Sequence, residues 1–164
     1  MKYVLLLCLI ILFGLIGYGV ALFFLERKRF FFELKKFLVK LKVDINFLSK
    51  RLPIILNESQ NFNDKNIRIM LSNYKLYIMP NKSENLEDMF KQITILTYEE
   101  KESIFAFFKG LGMIDVYEQT KNLESFMGVV ENYYDCANSE AKKFSSLFIK
   151  LGIIVGSFIA LILL

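Results

Sequence analysis

The chain has 164 residues, 54% of them hydrophobic, with 21 Lys and Arg against 17 Asp and Glu for a net charge of +4, and no histidine. That is the length of one domain at an apolar content too high for an ordinary soluble one, so a membrane protein is the first expectation. The missing histidine excludes the commonest general base and the commonest zinc ligand, and Cys8 and Cys136 are too far apart in sequence to suggest a metal site or redox pair; they read as small buried hydrophobes of a reducing compartment.

Tyr3 to Leu25 carries no charge. As a helix this run covers about 34 Å, enough for a hydrocarbon core of about 30 Å. A cleaved signal peptide would have a shorter apolar region followed by small residues at a cleavage site. Here the run passes into "FFLERKRFFF", so residues 3–25 are read as a transmembrane helix. The basic residues Arg27, Lys28, Arg29, Lys35 and Lys36 lie just beyond it, and residues 26–52 hold nine Lys and Arg against three acids. This is the composition of a solvated helix face next to anionic lipid. No recognition motif accompanies it, so nucleic acid is not an expected partner.

Phe31, Leu34, Leu38, Leu41, Ile45, Leu48 and Leu52 recur at steps of three and four until Pro53. The period predicts one helix of about fifty residues from Lys2 to Leu52. Between 53 and 110 two or three shorter helices are expected, separated by the turn chemistry of "NESQNFNDK" and "MPNKSEN". Ser83 or Asn85 is placed to cap a helix from Leu86 to Phe108, and "KGLG" at 109–112 to end it. "IRIMLSNYKLYIM" is rich enough in Ile, Tyr and Met to leave a strand as a minority reading.

Asp115 then stands where a helix cap is expected. From there Val116, Gln119, Leu123, Phe126, Val130, Tyr133, Ala137, Glu140, Phe144, Leu147 and Leu151 again step by three and four. This predicts a second long helix, again of about fifty residues, running to the final residue. Residues 147–164 carry one charge, Lys150, which can snorkel, and form the second expected transmembrane helix. Gly152 and Gly156 within it make a GxxxG pair, with Gly14, Gly17 and Gly19 in the first span; either self-association or packing of the two spans on each other would explain them. Lys142, Lys143 and Lys150 next to the second span, with the basic cluster after the first, place residues 26–146 in the cytoplasm and both termini outside. The expected fold is all-α: an antiparallel helical hairpin crossing the membrane twice, with a cytoplasmic helical bundle between the spans.

"LGMIDVYEQTKNLE", residues 111–124, is the one stretch whose polar residues invite a catalytic reading. Asp115 is explained as a cap that also favours the positive end of a helix dipole, Gln119 lies on the apolar seam, and Lys121 points to another face. No nucleophile or base with an orienting partner is visible from spacing, and there is no phosphate loop. No enzyme activity, cofactor or metal is expected.

The pattern "FFKGLGMIDVYEQTKNLE", with Leu111, Gly112, Asp115, Gln119 and Lys121, followed by "KLGIIVGSFIALILL" at the chain end, resembles the stage III sporulation protein AB family. So does the plan of an N-terminal span, "ERKR", a leucine-rich helix, Asp44-Ile45 and Pro53. The resemblance is specific in the last fifty-five residues and loose between about 57 and 100. It implies a protein similar to the inner-membrane platform of type II secretion and type IV pilus machines. Such a protein would sit in the mother cell membrane, in the channel complex between mother cell and forespore, with a secretion-type ATPase and other channel proteins as partners. Homo-oligomerisation is compatible with it. The rival readings are a membrane-anchored helical signalling or stress-response module and, behind it, an intramembrane or lipid-modifying enzyme. On the cap reading, Asp115→Leu costs about 1 kcal/mol of stability and Asp115→Asn little, measured by chemical unfolding; complete loss of function by a folded, correctly localised Asp115→Asn variant would instead give the carboxylate a chemical task.

Overall fold

The computed structural model describes residues 2–46, 52–58, 62–78, 86–111 and 116–162, and every regular element among them is helical. In chain order these are α1 (Lys2–Asn46), α2 (Leu52–Glu58), α3 (Lys65–Ile78), a 3₁₀ turn (Leu86–Phe90), α4 (Tyr98–Gly110) and α5 (Val116–Ile162). The expectation of two very long terminal helices is met by α1, of 45 residues, and α5, of 47. α1 is described as far as Asn46, and Pro53 is the second described residue of α2; the expected end of the first helix at Leu52 falls beyond a stretch, 47–51, that lies outside the described residues. Leu48, Ser83, Asn85, Gly112, Asp115 and the whole of "MPNKSEN" lie outside the described residues.

The chain divides into two compact units, one formed by Met1–Lys28 with Asp135–Leu164 and the other by Arg29–Tyr134. In the first, α1 and α5 run antiparallel with their backbones almost touching. A Cβ on Gly152 would fall 2.5 Å from the carbonyl oxygen of Phe13, one on Gly156 would fall 3.0 Å from the Cα of Ile10, and one on Gly17 would overlap the carbonyl oxygen of Phe148. The two helices therefore pack on each other within one chain at Gly17, Gly152 and Gly156, each against the backbone of the opposite helix, while Gly19 lies off this contact. Ala21, Ala137, Ala141 and Ala160 are also buried here. Phe24 then packs on Phe144 and stacks on Phe148, at ring separations of 5.2 and 5.9 Å.

This contact face is narrow, which has two consequences. Both helices are long and apolar enough to cross a membrane, and only 11% of the apolar stretch of each is buried within the chain. Leu12, Leu15, Ile16, Ile154, Phe158 and Leu161 all point outward. A core helix of a water-soluble protein would be covered instead. The second consequence corrects the reading of the cysteines: Cys8 and Cys136 are exposed, because glycine and alanine occupy the seam and leave the thiols off it.

In the second unit Phe30, Phe31, Leu34, Phe37, Leu38 and Leu41 of α1 are buried, a face broader than the single seam read from sequence. "IRIMLSNYKLYIM" is helical in its described part. Ile67, Met70, Leu71 and Tyr74 of α3 are buried at helical spacing, and Asp64 caps the start by accepting the Ile67 N–H at 3.0 Å, which excludes the strand reading. The helix expected from Leu86 to Phe108 is broken in two. The 3₁₀ turn closes with the Ile93 N–H donating to the Phe90 carbonyl, Ile93, Ile95 and Leu96 turn into the core, and α4 begins afresh at Tyr98. Thr97 causes the restart through a capping box: its hydroxyl accepts the Glu100 N–H, while the buried Glu100 carboxylate accepts the Thr97 N–H at 2.8 Å. α4 runs through Gly110 and is capped by extended Leu111, so the helix stop does not use a left-handed glycine at that position.

Phe108 joins these pieces. Its ring lies edge-on to Tyr74 at 4.7 Å and stacked beside Phe37 at 6.1 Å, while its carbonyl accepts the Tyr74 hydroxyl at 2.9 Å. Side chains from α1, α3 and α4 thus meet on one ring. The glycine contacts generate a direct expectation. Gly152→Val should destabilise the protein in detergent by about 2 kcal/mol or more, because a backbone rather than a side chain must move; Gly19→Ala, which has nothing within 4 Å of the added carbon, should cost nothing measurable in the same unfolding assay.

Candidate interaction surface

The residues singled out at 111–121 do not converge on a reactive centre. Leu111 is buried behind the end of α4, Gln119 is half-buried in the second turn of α5, and Lys121 is exposed on another face. Gly112 and Asp115 lie outside the described residues. Leu111 and Gln119 do share one feature: both line an open groove of about 310 Å³ between α4 and α5. Phe107 and Phe126 form an apolar part of its lining, stacked at 4.1 Å with their planes 7° apart, and Ser103, Asn122 and Ser125 add hydroxyls and an amide.

A groove lined this way can bind a chain segment but has little with which to do chemistry. It holds donors and acceptors that are neutral at any ordinary pH, around a rigid aromatic pair. Among the described residues no group of three or more acids or cysteines is placed to hold a metal ion. Sequence reasoning found Leu111 and Gln119 and missed Ser103, Asn122 and Ser125. The spacing of Gln119, Asn122 and Ser125 at steps of three was the available signal for a polar stripe beside the seam, but its α4 wall could not be anticipated while 86–108 was read as one helix.

The basic residues after the first span are placed differently from a free cationic patch. Within the first unit Arg27 donates to Glu140. Within the second, Lys35 pairs with Glu131, Lys42 with Glu124 at 2.7 Å, and Lys36 with Glu33 at 3.0 Å while also lying 4.3 Å over the Phe32 ring. Lys28 is half-buried and Arg29 exposed. Lys35 and Lys42 are seven residues apart, as are Glu131 and Glu124, so two antiparallel helices meet charge for charge in a single register. Exposed pairs of this kind add only about 0–1 kcal/mol each, but both can form together in only one register. At the end of α1, Asn46 accepts the Thr120 hydroxyl at 2.7 Å, beside Gln119.

Packing and recognition are separable on this surface. Phe126→Ala is expected to cost about 3 kcal/mol of stability. Asn122→Ala, at an exposed position, should stay within about 0.5 kcal/mol. Unfolding curves of the two variants check both values.

Comparison with curated proteins and with solved structures returns no match. The model of one protein family, stage III sporulation protein AB, matches residues 2–164, so the two apolar termini, the paired long helices and the groove-bearing bundle are all within it. The chain belongs to the stage III sporulation protein AB family and has a role in sporulation.

Proposed function

We propose that this chain is a non-enzymatic platform of a secretion-like channel complex in the mother cell membrane, facing the forespore, and that it seats a secretion-type ATPase. The observation that carries the reading is the family match over residues 2–164, joined to a helical bundle between two membrane-length apolar helices. In this reading residues 3–25 and 147–164 cross the bilayer and residues 26–146 are cytoplasmic, held there by the flanking basic residues. The absence of histidine and the neutral lining of the α4–α5 groove support a binding role rather than a catalytic one. The groove is the proposed seat for the partner, since it joins apolar anchorage on Phe107 and Phe126 to hydrogen-bonding groups that can fix orientation.

The test is binding of the full chain, reconstituted in lipid nanodiscs, to the secretion-type ATPase of the same organism. Saturable association is expected, weakened about tenfold or more by Asn122→Arg with Ser125→Arg, which place two charges on the groove without removing core. Wild-type chain that is folded, inserted and does not bind refutes the ATPase seat; binding that ignores the double variant moves the seat elsewhere.

A further inference from the structure

Most cations of the α1 basic run have acidic partners within the chain, which leaves the question of where free positive charge remains near the apolar helices. It remains on α5. Lys142, Lys143 and Lys150 are exposed, and among the described residues none of them pairs with an acid; Lys143 lies 5.3 Å over the Phe144 ring, a contact that leaves its ammonium open to an anion. Lys142, Ser146 and Lys150 are spaced by four and so share one face of the helix. With Lys143 they line a surface depression of about 380 Å³ whose remaining walls are Leu147, Leu151 and Ile154. Those three are exposed at 41%, 44% and 62%, inside a helix whose apolar stretch is scarcely covered by the rest of the chain.

From these observations we infer that the α5 face from Lys142 to Ile154 is a binding site for an anionic phospholipid. The inference rests on the reading of α5 as a membrane-spanning helix. The face changes along its length from ammonium groups and a hydroxyl to branched aliphatic carbon, and a phospholipid makes the same change from phosphate to acyl chain. The phosphate sits among Lys142, Lys143 and the Ser146 hydroxyl, which can donate to it, and the acyl chains lie along Leu151 and Ile154. Lys150, one turn deeper than Ser146, snorkels toward the same phosphate along its own aliphatic stem. A soluble acidic protein would satisfy the lysines but leave Leu151 and Ile154 against water, which is why lipid is the occupant of this face.

The experiment uses the full chain reconstituted in phosphatidylcholine vesicles, with spin-labelled phosphatidylglycerol or spin-labelled phosphatidylcholine as the probe and the motionally restricted fraction as the readout. The wild-type chain should prefer the anionic probe. The triple variant Lys142→Gln, Lys143→Gln, Lys150→Gln should lose about tenfold of that preference, and a control of equal charge change, Lys101→Gln, Lys109→Gln, Lys121→Gln, should keep it. The triple lysine-to-arginine variant should also keep it, since charge and not lysine itself is required. Preference retained by the glutamine triple overturns the inference. If that triple does not insert, Lys142→Gln alone decides, with an unchanged preference again overturning the site. Carbonate extraction of the wild-type chain from the vesicles would overturn the spanning reading and the lipid site with it; resistance to carbonate without anionic preference would overturn the lipid site alone.

Discussion

The close approach of the α1 and α5 backbones is the constraint on which the first unit depends. On the proposed reading, in which both helices cross a bilayer, two helices with little but aliphatic surface gain nothing from hiding that surface from lipid, so their association comes from van der Waals contact at short range. Gly17, Gly152 and Gly156 provide it by letting a carbonyl or a Cα occupy the space of a missing methyl group, and buried alanines extend the same face. The price is a contact face so narrow that most of each apolar stretch, and both cysteines, stay outside it. Phe24, Phe144 and Phe148 then widen the contact with aromatic rings toward Arg27 and Glu140.

In the second unit a conventional core takes over. Large rings replace glycine, and Phe108 connects side chains of α1, α3 and α4 through stacking, an edge-on contact and a hydrogen bond from Tyr74. The ion pairs Lys35–Glu131 and Lys42–Glu124 contribute specificity more than stability, since each is partly exposed. Their matched seven-residue spacing admits one antiparallel register. The α4–α5 groove follows from this arrangement: α4 is capped at Thr97, ends at Gly110 with extended Leu111 as its cap, and lies beside Gln119 to Val129 of α5 without filling the space between them.

The two proposed surfaces divide the chemistry of the chain between them. The groove is neutral, aromatic and hydroxyl-lined, suited to a protein segment that must be oriented as well as held. The α5 face is cationic and then aliphatic, suited to a lipid. Family membership supplies the sporulation role; the proposed partner at the groove and the proposed lipid on α5 rest on the side chains of those two surfaces.

What the sequence by itself determined was the class and the frame. An uncharged run from Tyr3 to Leu25, a run from Leu147 onward with Lys150 as its one charge, and apolar residues at helical steps between are enough to specify long helices with membrane-length apolar ends, because hydrophobic period and length act locally. The motif "LGMIDVYEQTKNLE" was enough to place the family, but not to say what its residues touch. Tertiary structure decided the rest. It decided that Gly17, Gly152 and Gly156 each meet the backbone of the opposite helix, a pairing of residues more than a hundred positions apart on which local pattern is silent. It decided that Arg27, Lys35 and Lys36 are paired with acids while Lys142, Lys143 and Lys150 of α5 pair with none among the described residues. The break at 91–97 was half-legible, since Thr97 and Glu100 spell a capping box, yet continuous periodicity across it masked the signal until Ile93, Ile95 and Leu96 were seen turned into the core. Gln119 could be seen as a polar residue on an apolar seam from the sequence; that it lines a groove depended on where α4 ended, and that is a matter of packing against Phe37 and Tyr74 rather than of any residue near it.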